Sequence, residues 1–229
     1  MADQTLVTDD VTANMPTGGT VKVKEKKNKS VVELTGDTKS AAVGLSGPNT
    51  QVSTEGNLKG VLIRQSTSSN GKNKPNELSV KAPAVKNTGI VNNSKQGLEA
   101  KINSPKLNKV TFSSSKNVDD KFKFDGVKTE ASSRTDKTGQ IKNSTLSMGK
   151  GDDTVTFGKG VKFKGITKIS LGQKGGTDMV IIGSEIKGGG KVKVTQFSKK
   201  DTIKVAGETF TYQDIKDGAQ IPGIDVKLA

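Results

Sequence analysis

The second half of the chain repeats a short pattern in which an aspartate is followed by two apolar residues at alternating positions. Four copies are visible, and they begin at Asp120, Asp153, Asp178 and Asp201. The last three begin 25 and 23 residues apart (178−153 and 201−178). An interval of this size is too short for a domain and is typical of one solenoid coil or one β-hairpin unit. The repeat therefore constrains the architecture more than any other feature of the sequence.

Stacking the copies as coils predicts interior rows, each built from one residue of every coil. Such rows would let a chain with only 30% hydrophobic residues form a continuous dry core. The predicted core rows are Val155, Val180 and Ile203; then Phe157, Ile182 and Val205; then Val161, Ile186 and Phe210. The alternative is a series of hairpins in an antiparallel sheet, in which the interval has no structural meaning.

The remaining chain reads as short alternating segments separated by turns rich in glycine, asparagine, aspartate and serine. No window has a sustained apolar period of 3.6 residues, and Tyr212–Lys216 predicts at most one helical turn. The expected fold is all-β. We expect a β-solenoid or β-helix-like second half, short irregular strands before it, and an extended N-terminal arm.

Three regions are expected from the composition along the chain. Residues 1–19 are polar, end in two glycines and predict an extended arm, whereas residues 20–108 are strand-rich and contain no aromatic residue. Residues 109–229 form the solenoid-like region, and a boundary within residues 129–145 is the alternative. The arm would carry the interface with a partner. Its predicted interface residues are Thr5, Leu6, Val7, Val11 and Met15.

Missing residue types exclude several kinds of chemistry. The chain has no Cys, His or Trp, which excludes disulfides, thiolate chemistry, a Ser-His-Asp triad and an ordinary zinc site. The adjacent pairs Asp119/Asp120 and Asp152/Asp153 would point to opposite faces of a strand, so they do not predict a glycosidase. We therefore expect no enzyme activity, no cofactor and no metal ligand.

The chain has a formal net charge of +14 that is shared by both halves. A basic protein invites a nucleic-acid interpretation, but arginine occurs only at Arg64 and Arg134, and the lysines alternate with strand residues. This argues against nucleic acid and favours a solvated strand face or docking onto an acidic protein surface. No signal peptide or membrane span is visible, so we expect synthesis in the cytoplasm and no membrane partner.

The stretch from Gly149 to Gly158 resembles one glycine- and aspartate-rich repeat of the RTX family of calcium-binding β-rolls. The resemblance implies calcium held by aspartates and backbone carbonyls of paired turns. Here the interval is longer than the tandem nonapeptide repeat of that family, and lysines lie nearby. The alternative is that glycine and aspartate form and cap a turn.

As a whole, the chain resembles accessory structural proteins of tailed bacteriophages of marine type. The resemblance depends on the polar arm ending at Gly19, the solenoid-like block 149–212 and the missing Cys, His and Trp. It implies a non-enzymatic capsid decoration protein in the virion, acting as a homotrimer bound to the major capsid protein or another virion protein. The alternatives are a tail or head fibre, a secreted RTX-like adhesin and a nucleic-acid packaging protein.

Overall fold

A computed structural model describes most of the chain. The backbone is described for residues 4–7, 11–15, 21–26, 29–34, 38–39, 41–45, 49–66, 75–114, 117–128, 137–172, 176–187 and 189–229. Side chains are described for residues 32–33, 41–45, 50–66, 75–114, 117–127, 137–172, 176–187 and 189–229.

Strands account for almost all the regular structure. In chain order they are β1 (Gln4–Val7), β2 (Val11–Met15), β3 (Val21–Lys26), β4 (Lys29–Leu34), β5 (Thr38–Lys39), β6 (Ala42–Leu45), β7 (Asn49–Thr54), β8 (Leu58–Lys59), β9 (Leu62–Gln65), β10 (Asn76–Lys81), β11 (Val85–Lys86), β12 (Gly89–Asn92), β13 (Leu98–Asn103), β14 (Lys106–Asn108), β15 (Thr111–Ser114), β16 (Lys121–Phe124), β17 (Val127–Lys128), β18 (Lys137–Lys142), β19 (Thr145–Ser147), β20 (Thr154–Phe157), β21 (Val161–Lys164), β22 (Ile166–Ser170), β23 (Met179–Ile182), β24 (Lys191–Phe197), β25 (Thr202–Val205), β26 (Glu208–Thr211) and β27 (Ile224–Leu228). One short helix, α1 (Tyr212–Lys216), lies between β26 and β27.

These strands form three sheets that the chain visits in turn. Sheet A has the order β1-β2-β6-β9-β12-β15-β19-β22-β24-β27, and sheet B has the order β26-β25-β23-β20-β16-β13-β10-β7-β4-β3. Sheet C has the order β17-β18-β14-β11-β8-β5, with β21 paired to β18. Successive coils run from sheet B to sheet C to sheet A, and they pair in parallel. The predicted all-β, solenoid-like fold is confirmed.

The core consists of residue rows that run through the stack of coils. In sheet B, Val155, Val180 and Ile203 are register partners, and Phe157, Ile182 and Val205 form the next row. Both rows extend back through residues such as Phe122, Phe124, Ala100, Ile102, Leu78 and Val80. Nearly all these side chains are fully buried. Alternating strand residues point inward, so a few large apolar side chains per coil suffice for a continuous core.

The third predicted row differs from the structure. Val161 is buried in sheet C, where it pairs with Gly139, and Ile186 lies in the segment between β23 and β24. Phe210 belongs to sheet B, where the antiparallel hairpin β25–β26 places it opposite Ile203. The chain turns back after Val205 instead of beginning another coil, so Phe210 extends the first row.

The early part of the chain also differs from the prediction. Within residues 1–19, β1 and β2 form an antiparallel hairpin, and β2 pairs with β6 of sheet A, so these strands are part of the sheet. In β2, apolar Val11, Ala13 and Met15 alternate with polar residues, which suits a strand with one face towards a core. The coils continue through residue 108, since β13 pairs with β16 and β15 with β19, and residues 137–147 supply β18 and β19.

Hairpins and the helix close the two ends of the stack. At the first end β3 pairs antiparallel to β4, and at the last end β26 pairs antiparallel to β25. Thr211 caps the start of helix α1: its hydroxyl accepts from the backbone N–H of Asp214, and the Asp214 carboxylate accepts from the backbone N–H of Thr211. The predicted single helical turn at Tyr212–Lys216 is confirmed.

The corner between sheets C and A has a recurring backbone conformation. Five coils place one residue there with a positive φ, between 47° and 67°: Gly60, Asn87, Lys109, Asn143 and Gly165. Glycine and asparagine tolerate this left-handed region better than other residues. The residue before each corner ends a strand of sheet C, so the corner fixes where that strand's last side chain points.

Candidate functional site: an aspartate column and a lysine face

The repeated aspartates form a buried column at the corner between sheets A and B. Asp153 Oδ1 accepts the backbone N–H of Asp120 at 2.7 Å, and Asp178 Oδ1 accepts that of Asp153 at 2.9 Å. Asp201 Oδ1 accepts the N–H of Asp178 at 2.9 Å, and Asp120 Oδ1 accepts that of Leu98 at 2.7 Å. Each carboxyl thus provides an acceptor for a backbone donor in the preceding coil, next to the start of a sheet B strand.

Burial changes the acidity of this column. Asp120, Asp153 and Asp178 are at most 5% exposed. Desolvation raises the pKa of Asp153 to about 8 and that of Asp178 to about 7, against the opposing effect of their backbone hydrogen bonds. Desolvation also raises the pKa of Asp120, which additionally accepts from Asn92 Nδ2 at 2.8 Å. At neutral pH, the Asp153 carboxyl is therefore mostly protonated.

A second, exposed ladder runs beside the buried column in the opposite direction. Asp119 Oδ1 accepts the N–H of Asp152 at 2.9 Å, and Asp152 Oδ1 accepts the N–H of Thr177 at 2.7 Å. The adjacent aspartate pairs therefore bond to neighbouring coils on two sides of the corner. This geometry gives both members of each pair a structural role in joining coils.

The stretch that resembles an RTX repeat lies at this corner. Gly149 and Gly151 both have positive φ, and Asp152 and Asp153 follow them as ladder acceptors. An added Cβ at Gly151 would meet the carbonyl of Val118 in the preceding coil, so glycine is needed there for close approach. In the described part of the chain, no three His, Cys, Asp or Glu side chains form a group that could hold a metal ion.

The outward side of sheet C carries a row of lysines. Register partners place Lys59, Lys86, Asn108, Lys142 and Lys164 in one line, with the backbone position of Lys39 before them. Lys59, Lys142 and Lys164 are exposed, and Lys86 is half-buried. We call Lys59, Lys86, Lys142 and Lys164 the lysine row. Lys106 and Lys162 are exposed on the same sheet, two residues before Asn108 and Lys164.

Sequence reasoning missed the lysine row because it treated the lysines as scattered strand-face charges. The available signal was a second repeat, in which an apolar residue, a lysine and then glycine or asparagine occur together. It is present at 58–60, 85–87, 141–143 and 163–165, and in altered order at 107–109. The intervals between copies vary from 22 to 34 residues, which hides the period.

A groove of about 570 Å³ lies at the junction of sheets B and C. Pro83 and Pro105 contribute apolar surface, and Glu33, Glu55 and Lys81 contribute charge. The mixed charge and open form of the groove do not assemble a nucleophile with a base.

The predicted interface residues lie in the N-terminal hairpin. Thr5, Leu6 and Val7 are in β1, and Val11 and Met15 are in β2; their side chains lie outside the described residues. Because β1 is the first strand of sheet A, its outer edge has no strand partner among the described residues. Within the same described residues, no helix is long and apolar enough to cross a bilayer.

In comparisons with known proteins, no family model, curated protein or solved structure matches this chain.

Proposed function

We propose that this protein is a non-enzymatic structural protein of a virus particle, which attaches to the outside of a phage head and stabilises it. The observation that carries the proposal is the unbroken stack of coils, whose core rows and buried aspartate column tie each coil to the next. A parallel solenoid of this kind is a stiff building element, because each coil is held by its neighbours along its whole length.

The perturbed acids support a structural role and not a catalytic one. Carboxyls with strongly raised pKa values often mark active sites. Here Asp153 and Asp178 are 1% and 5% exposed, and the Oδ1 atom of each accepts a backbone N–H. A substrate could not reach these groups without opening the stack, so their chemistry is used for holding coils together.

Attachment to the major capsid protein or another virion protein is part of the proposal. The outer edge of β1, which has no strand partner among the described residues, offers backbone groups to a partner strand, and strand addition is a common way to lock an assembly. The predicted residues Thr5, Leu6, Val7, Val11 and Met15 would lie in that contact. A homotrimer is the proposed form, because subunit contacts would also cover exposed sheet edges.

The test of the proposed function is localisation in particles. Particles banded by density from a culture that carries the gene would be analysed by mass spectrometry and labelled with immunogold against this protein. We expect the protein to be abundant in the particle band, with label on the outside of the head. Recovery of the protein only in the soluble fraction would contradict the proposal, and label on the tail would favour the fibre alternative, which the rod-like stack also suits.

A second experiment addresses assembly and the calcium alternative together. Native mass and circular dichroism would be measured with and without EDTA, for the full chain and for a variant lacking residues 1–19. We expect a β-rich oligomer that is indifferent to EDTA, and a truncated chain that folds but does not attach to particles. A monomer that loses its β signal in EDTA and regains it with Ca²⁺ would favour the RTX-like adhesin, which the resemblance at Gly149–Gly158 suggests.

A further inference from the structure

The lysine row concentrates positive charge on one side of the solenoid. Neighbouring strands in a sheet are about 4.8 Å apart, so the six register positions from Lys39 to Lys164 span about 24 Å. The strands of sheet C contain no aspartate or glutamate, as their sequences show. The row is therefore a line of like charge that is interrupted at Asn108.

Among the residues that the structure describes, no ion pair neutralises this line. Within the described residues, the ion pairs are Lys101–Glu99, Lys123–Asp125, Lys137–Asp125 and Lys187–Glu185, and none includes Lys59, Lys86, Lys142 or Lys164. Like charges on directly opposed strand positions destabilise a sheet. The row thus carries repulsion between neighbouring coils that an anionic partner would relieve.

The form of the row indicates the chemistry of that partner. The outward residues of sheet C include no aromatic side chain on which an unpaired base could stack, and the row contains no arginine. A duplex phosphate backbone follows a helical path and would meet lysines that lie along one line of register positions at only a few points. A protein surface with carboxylates can contact the row along its length, and lysine binds carboxylates as a point charge.

We infer that the lysine row is the docking surface for a protein partner whose contact surface is rich in aspartate and glutamate. This inference names the partner chemistry of the proposed function and depends on that function for its biological setting. The binding would weaken with added salt, because exposed charges are screened.

The test compares two variants of the full chain with equal charge loss on different faces. One carries K59Q, K86Q, K142Q and K164Q; its control carries K168Q, K191Q, K193Q and K227Q in sheet A. Each lowers the net charge from +14 to +10 (14−4). Glutamine removes the repulsion between neighbouring lysines without adding charge, so the sheet C variant should fold. Circular dichroism and thermal melting would verify that both variants are folded. Binding would be measured by fluorescence anisotropy to labelled poly-L-glutamate and, separately, to a 30-base-pair DNA duplex.

We expect the sheet C variant to lose at least about tenfold in affinity for poly-L-glutamate, and the sheet A control to lose less than about threefold. Equal losses in the two variants would overturn the inference, since net charge alone would then explain binding. Tighter binding of the duplex, lost only in the sheet C variant, would also overturn it and indicate a phosphate partner. Particle localisation is measured separately, so its failure would refute the proposed function while leaving the face-specific result intact.

Discussion

Replacing Asp153 by asparagine tests whether buried, protonated carboxyls join the coils. Burial raises the pKa of Asp153 from its ordinary value of 3.8 to about 8. A carboxyl whose pKa is higher in the folded than in the unfolded state binds more protons when folded. Its contribution to stability is fully present below pH 3.8, falls as the pH rises, and is lost above pH 8. The stability that the Asp153 carboxyl contributes should therefore be greatest in acid and should decrease towards pH 8.

The size of the effect follows from the two pKa values. The difference between 3.8 and about 8, at about 1.36 kcal/mol per pH unit, sets a ceiling of about 6 kcal/mol for this carboxyl. The asparagine side chain of the Asp153→Asn variant would keep an oxygen acceptor for the N–H of Asp120 but would not titrate. Between pH 5 and 7, the variant should lose stability with pH more slowly than the native chain, by up to about 1.36 kcal/mol per pH unit. Asp178 and Asp120 still titrate, so some slope remains.

Urea denaturation followed by circular dichroism at pH 4, 5, 6, 7 and 9 would measure these slopes. Asp153→Ala is the control, because it removes both the titration and the acceptor for Asp120 N–H. The free energy of unfolding of Asp153→Ala should be lower than that of Asp153→Asn at every pH, by about 1–3 kcal/mol, because the N–H of Asp120 loses its acceptor. An Asp153→Asn variant whose stability falls with pH as steeply as that of the native chain between pH 5 and 7 would refute the reasoning.

Three further comparisons, made by denaturant unfolding, test packing and backbone geometry. Gly172→Ala should destabilise the protein by about 1–3 kcal/mol more than Gly189→Ala. Both positions have a similar positive φ, but only at Gly172 would the added Cβ meet a carbonyl, that of Gly149; equal losses would contradict the structure. Lys109→Asn should stabilise the protein by about 0.5–1 kcal/mol, because asparagine tolerates the positive φ of 52° better than lysine does. A loss of stability would contradict the left-handed conformation at that corner. Phe157→Ala should cost about 3–5 kcal/mol, because the fully buried ring packs 5.0 and 6.4 Å from two other rings; a loss below about 1 kcal/mol would contradict that packing.

The second half of the fold could be predicted because there the coils have similar lengths. Val155, Val180 and Ile203 occur at intervals of 25 and 23 residues, so they align by inspection. The first half uses the same coil, but its partners Val52 and Val80 are 28 residues apart and its rows contain smaller residues such as Ala100. Turns of unequal length change the interval between equivalent core residues, and small residues make the apolar repeat harder to recognise. Periodicity alone therefore did not identify those coils.

The site was predictable only in part, for a different physical reason. The aspartates were visible as turn residues, and a turn-capping role was among the alternatives considered. Their stacking depends on which coil lies next to which, as in the bond from Asp120 N–H to Asp153, 33 positions away. The lysine row likewise exists only once the strands of sheet C are aligned. Neither long-range property is encoded in a local window.

The strands keep their register although the turns between them differ in length. The number of coils, and with it the length of this protein, can therefore be changed. Residues 98–119 contain one strand from each sheet, β13, β14 and β15, and no other element. Removing them would join Gly97 to Asp120 and shorten the rod by about 4.8 Å, one strand spacing. It would also remove Asn108, the interruption in the lysine row, and bring Lys86 beside Lys142. Rods whose lengths differ by whole coils could thus be made from this chain by removing or duplicating coils.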